Sequence, residues 1–201
     1  MKKLIAILLM VCLLPLCAAS EMDADGDVVV TLAGAEFFFT PITGYCITRE
    51  SSASVFNRVG LSQREIIPFM EEYNLFALLY DEKITMEVQV SAYPTVETDF
   101  DEMNSYGEAM MCEDFRYFHM DIGYDVASVE VYLAPEGHRF IRSSLSYVAE
   151  DGATEYIIEY LTCQAGYTVT VTLFPEEGEP TGEQIVLTES IVDSLWIRTT
   201  E

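Results

Sequence analysis

Few side chains in this sequence have both the type and the spacing to do chemistry. Its two histidines, His119 and His138, belong to no H-E-x-x-H or H-x-x-x-H pair, the spacing that sets two imidazoles on one helix face for zinc. Of five cysteines (Cys12, Cys17, Cys46, Cys112 and Cys163), no two form C-x-x-C, so neither a zinc knuckle nor a thioredoxin-type pair is supported. No G-x-S-x-G, phosphate-binding P-loop or G-x-G-x-x-G occurs. A nucleophile–base pair of Cys112 or Cys163 with His138 is conceivable, and nothing in the spacing favours it. Asp23-Ala24-Asp25-Gly26-Asp27 alternates carboxylates as a calcium loop does, but an EF-hand needs Gly at position six and Glu at twelve. Those positions hold Val28 and Gly34, and the expectation is a solvated acidic stretch. Carboxylates are numerous enough for a glycosidase-type pair, but they fall mostly at turns, where solvation is the default. The sequence therefore assigns no catalytic, cofactor-binding or metal-ligating residue.

Two spots have a binding character. His138, Arg139 and Arg142 are the densest basic group past the N-terminus. On a strand Arg139 and Arg142 face opposite sides, so one of them neutralises nearby acids; a local anion or partner contact is the lesser reading, because bases this scarce are usually paired. Phe115, Tyr117, Phe118 and Tyr124 could line a ligand pocket, although the helical spacing of Phe115 and Phe118 is that of a core face. Overall, 34 acidic residues face 10 Lys and Arg, a formal charge of −24. That excludes non-specific nucleic-acid binding, which needs a basic face to displace counterions, and disfavours adsorption to anionic lipid. Half the residues are hydrophobic and 12% aromatic, too rich in core formers for a disordered acidic tail.

The N-terminus has the three-part layout of a secretory signal peptide over residues 1–19. Lys2 and Lys3 precede an apolar run from Leu4 to Leu16, and small residues Ala18, Ala19 and Ser20 follow. The run is too short to cross a hydrocarbon core of roughly 30 Å. Leu14-Pro15-Leu16-Cys17 resembles a lipobox and would place a lipid tether at Cys17, although Leu16 is not the small residue such a site prefers. The expected location is extracytoplasmic, secreted or attached to the cell envelope. Export leaves Cys46, Cys112 and Cys163, an odd number, read either as buried small side chains or as one disulfide plus a free thiol.

Past a flexible acidic leader over 20–27, the pattern over 28–201 predicts a single α+β domain. Val28 to Leu32, Glu36 to Thr40 and Tyr45 to Arg49 read as strands. A short turn of helix follows to Arg58. Ser62-Gln63-Arg64-Glu65 reads as a capping box opening a helix with Ile66, Phe69, Met70 and Tyr73 on one side. Pro68 should distort its start and Asn74 should stop it. Ile84, Met86, Val88 and Val90 alternate with polar residues, a strand with one wet face. Residues 98–120 read as one helix or two short ones. Strands then follow from Val126, from Arg139 to Val148, from Glu155 to Cys163 and from Tyr167 to Phe174, joined by short turns into an antiparallel meander. Thr181 or Gly182 starts a last helix through Asp193 with Ile185, Thr188, Ile191, Val192 and Leu195 on one side.

Three stretches, in this order, resemble the PsbP-like fold group, which includes the extrinsic protein of photosystem II and many exported bacterial proteins of unknown role. Pro41 to Arg49 looks like that group's P-x-x-G-aromatic turn into a strand. Leu61 to Glu65 looks like its capped first helix, and Ile191 to Ile197 like its closing helix end. The resemblance implies an α/β/α sandwich, an antiparallel sheet with a strand meander flanked by helices. It implies a binding or accessory role and brings no catalytic residue with it. The expected function is an exported acidic, non-enzymatic accessory protein whose partner is another extracytoplasmic protein. The alternatives are a small-molecule or cation binder with a pocket between sheet and helices and, behind it, a secreted hydrolase.

Overall fold

The computed structural model describes residues 19–22, 26–32 and 34–199. The predicted signal peptide up to residue 18, with the lipobox and Cys17, and Asp23 to Asp25 of the calcium-like stretch lie outside them. The framework is a seven-stranded antiparallel sheet in the order β4-β5-β6-β10-β9-β8-β7. Its strands are β4 (Gly44–Ile47), β5 (Leu75–Asp81), β6 (Met86–Pro94), β7 (Asp125–Leu133), β8 (Arg139–Val148), β9 (Thr154–Gln164) and β10 (Tyr167–Pro175). The meander β7 to β10 is as predicted, and β10 joins it to the first three strands by pairing with β6.

Strand β10 shows why the sheet has two unlike faces. Its sequence Tyr167-Thr168-Val169-Thr170-Val171-Thr172-Leu173 sends valines and Leu173 to one side and threonines to the other. Val169, Val171 and Leu173 join Val88, Val90 and Tyr160 in the largest core cluster. That face is covered by helix α4 (Gly182–Ser194) and by a second sheet of β1 (Ala19–Met22), β2 (Val28–Leu32), β3 (Ala35–Phe39) and β11 (Trp196–Thr199). The threonine face is flanked by α1 (Ala53–Arg58) and α2 (Gln63–Glu72) over β4 and β5, and by α3 (Ser105–Asp121) over β7 and β8. The architecture is α+β, with helices on both sides of a meander-containing antiparallel sheet.

Local chemistry explains several boundaries. Gly44 has φ +146°, and a Cβ there would lie 2.1 Å from the Tyr80 carbonyl oxygen. The glycine of the Pro41–Tyr45 turn is therefore required by the close approach of β4 to β5. Arg49 donates from Nη2 to the carbonyls of Met70 and Leu75, both at 3.0 Å, tying the end of α2 to the start of β5. Asn74 stops α2 with φ +52°, as its type allows.

Four expectations are corrected. Part of the leader predicted over 20–27 is strand: Ala19–Met22 pairs with β2. The Ser62 side chain makes no capping hydrogen bond; the reciprocal box forms instead at Thr181 and Gln184. Thr181-Gly182-Glu183-Gln184 carries the same T-x-x-Q spacing. Helix α2 runs through Pro68 rather than being distorted before it. The chain after α4 does not end as helix but forms β11, where Trp196 stacks on Phe38 with ring centroids 4.0 Å apart.

Candidate functional site

The predicted helical stretch 98–120 begins as a 3-10 turn, Phe100–Glu102, and becomes α3 only after Asn104, whose side chain accepts from the amides of Tyr106 and Gly107 at 3.0 Å. The turn is fastened by carboxylates. Asp99 accepts from the Asp101 and Ala165 amides at 3.0 and 3.2 Å. Asp101 accepts from the Arg139 amide at 2.8 Å, lies 2.7 Å from His138 Nδ1, and takes a 3.3 Å bond from Gln164. Together these bonds pin the turn against the ends of β8 and β9.

Between this turn, α3 and the threonine face lies an open cavity of about 420 Å³. Its floor is Leu161, Cys163 and Thr168, all buried. Phe100, Met111, Phe115 and Phe118 form its apolar walls. Tyr93, Glu97 and Asp114 also border it, the two acids being exposed. Burial raises the Tyr93 phenol to about 12, opposed by a hydrogen bond from Thr168. Cys163 Sγ lies 3.4 Å from Thr168 Oγ1.

Behind the phenylalanine wall is a buried polar group. His119 Nε2 lies 3.3 Å from Glu159 Oε1, with side chains 1% and 4% exposed. Phe115, Phe118 and Tyr124 pack round the imidazole at centroid distances of 6.2, 5.4 and 6.0 Å. Ser143 faces Glu159 across the β8–β9 pairing. The Ser143 hydroxyl and both His119 nitrogens meet no hydrogen-bond geometry within the protein. The 3.3 Å approach is thus a close contact of two ionisable groups without a well-directed bond. The set has the residue types of a hydrolytic triad, but His119 and Glu159 are almost wholly buried and none of the three lines the cavity.

The structure separates the predicted binding residues. Phe115 and Phe118 line the cavity, whereas Tyr117 is exposed and Tyr124 packs on His119 and Tyr147. The basic spot is not open to an anion. His138 is held by Asp101, Arg139 pairs with Glu108 at 3.0 Å, and Arg142 pairs with Glu130 at 2.7 Å and donates to the Tyr160 hydroxyl. Both arginines neutralise acids, not one of them. Cys46, Cys112 and Cys163 are free thiols. Burial pushes all three up, Cys46 to about 12, which keeps them protonated and weakly nucleophilic. His138 meets Asp101 rather than a cysteine.

Sequence reasoning missed Tyr93, Glu97, Thr168 and Leu161 as partners of α3. The threonine alternation of β10 was the available sign, because a buried sheet face seldom carries successive hydroxyls without a polar neighbour. Among the described residues no cluster of three His, Cys, Asp or Glu side chains is arranged to hold a metal ion. Among them, too, no helix is long and apolar enough to cross a membrane.

No family model matches the chain, and no curated protein does. Among solved structures it is similar to the solution structure of cyanobacterial PsbP (CyanoP) from Synechocystis sp. PCC 6803. That similarity has 10% identity and a TM-score of 0.40, and it covers 94% of this chain and 99% of that one. The likeness is to a PsbP-like fold, at a level that says nothing about side-chain chemistry.

Proposed function

We propose that this is an exported, non-enzymatic binding protein that holds a small, largely apolar molecule in the cavity beneath α3. The observation that carries the reading is the cavity itself: about 420 Å³, a volume typical of ligand sites, lined mainly by aromatic and aliphatic side chains with a few polar groups. Export rests on the three-part N-terminus. A test is titration of the mature chain with Nile red, a neutral apolar dye. Its emission should rise with the native protein, and Met111→Trp, which fills the cavity from α3, should abolish the rise while thermal unfolding remains cooperative. Absence of any dye response by the native chain would sink the reading.

A second reading, an accessory role toward another extracytoplasmic protein, is favoured by the outer side of α3. Tyr106, Met110, Tyr117 and Met120 are spaced to share one stripe and are between 49% and 73% exposed. With a formal charge of −24, association with a basic partner would be fast and salt-sensitive. Cross-linked capture from an envelope extract should then yield one dominant partner that is lost at high salt.

A further inference from the structure

We propose that the cavity beneath α3 selects an organic cation: an amine or quaternary ammonium group carried on an apolar body. This rests on the cavity being a binding site. Its walls supply the rings of Phe100, Phe115 and Phe118, and Tyr93 adds a fourth. The negative face of such a ring attracts an alkylammonium, more strongly when water is excluded. The charged side chains on the lining are both acidic, Glu97 and Asp114. Both are exposed whereas the floor is buried, so an apolar body entering floor-first leaves its cationic end among the rings and carboxylates.

Among the neighbouring bases, Arg116 lies on α3 two residues past Asp114 but does not line the cavity. His138 is occupied by Asp101 and Arg139 by Glu108. His119 lies behind the Phe115 and Phe118 rings against Glu159. No Lys, Arg or His lines the cavity among the described residues. An anionic ligand would therefore meet two carboxylates and no counter-charge, and a neutral one would leave the acid–aromatic arrangement unused.

The test uses three probes with one body and three charges: 3-phenylpropylamine, 3-phenylpropan-1-ol and 3-phenylpropanoate. Each is titrated into the mature chain by calorimetry and ligand-observed NMR at low and high salt. The amine should bind about tenfold more tightly than the alcohol, from one ammonium–ring contact and one exposed ion pair combined, and the carboxylate should not bind detectably. The margin should narrow as ionic strength rises. In E97Q/D114N, which alters exposed residues only, the amine should fall to within about threefold of the alcohol measured on the same variant. Equal binding of amine and alcohol by the native chain would overturn the cation assignment and leave the apolar site standing. A margin that survives the double substitution overturns the role given to the two carboxylates. Failure of all three probes, together with failure of Nile red, would overturn the binding site itself.

Discussion

Removing either member of the His119–Glu159 pair should destabilise the fold far more than removing both. The groups are 3.3 Å apart with side chains 1% and 4% exposed. His119→Leu leaves a carboxylate beneath α3 without its partner, which costs about 3–5 kcal/mol. Glu159→Leu leaves a buried imidazole without its polar neighbour, at about 1–3 kcal/mol. The double variant replaces both by apolar groups among Phe115, Phe118 and Tyr124, and such exchanges are often neutral or stabilising. A cycle of the four proteins should thus show a coupling of about 3 kcal/mol or more. Guanidinium unfolding at neutral pH, followed by circular dichroism and Trp196 fluorescence, measures it. For a chain of this size His119→Leu should also lower Tm by roughly 10 °C. Costs that simply add, with coupling below about 0.5 kcal/mol, would refute the claim that the two groups depend on each other.

Three further outcomes follow from local geometry. Ala165 sits at φ +51° beside Gly166 in the two-residue turn between β9 and β10, so Ala165→Gly should raise stability by about 1 kcal/mol in denaturant unfolding. Gly44→Ala should cost several times that and shift NMR resonances across the β4–β5 pairing, because the added Cβ would meet the Tyr80 carbonyl at 2.1 Å. Burial acts to raise the Asp81 carboxyl, but bonds from the Thr85 amide and hydroxyl and from the Met86 and Lys83 amides outweigh it and hold it below its usual value. A depressed folded-state value stabilises above the unfolded carboxylate range near ~4 and is lost as pH falls through the folded value. Asp81→Asn should therefore destabilise at pH 7, and its penalty should shrink in unfolding curves taken toward pH 3.

The meander was legible because its information is local. Strand alternation has a period of two, and Pro135-Glu136-Gly137, Glu150-Asp151-Gly152 and Gln164-Ala165-Gly166 punctuate it wherever the chain reverses. The burial of Thr188, Ile191 and Val192 on α4 was likewise readable from helical spacing. The capping box was not, since Ser62-Gln63-Arg64-Glu65 and Thr181-Gly182-Glu183-Gln184 match one motif equally well. Only the second brings its side chains into mutual reach, with the Gln184 amide nitrogen also donating to Thr85 O at 2.9 Å. Strand β11 escaped prediction for a related reason. Four residues carry little pattern of their own, and Trp196–Thr199 becomes strand because β3 presents an edge to pair with.

The composition and the N-terminus by themselves set the acidic character, the expectation of export and the absence of any recognised catalytic spacing. Alternation and turns set an antiparallel α+β chain. The sequence offered Phe115 and Phe118 as pocket candidates, and the tertiary structure decided the rest of the cavity lining. Phe100 and Phe118 come from a turn and a helix, Tyr93 from β6, and Cys163 and Thr168 from β9 and β10. They converge because α3 folds back over the meander while its capping turn is held by Asp99 and Asp101. The same closure spent the basic spot on Asp101, Glu108 and Glu130 and buried His119 against Glu159. Sequence separation hides most such meetings, because a cavity is a relation among side chains from several segments.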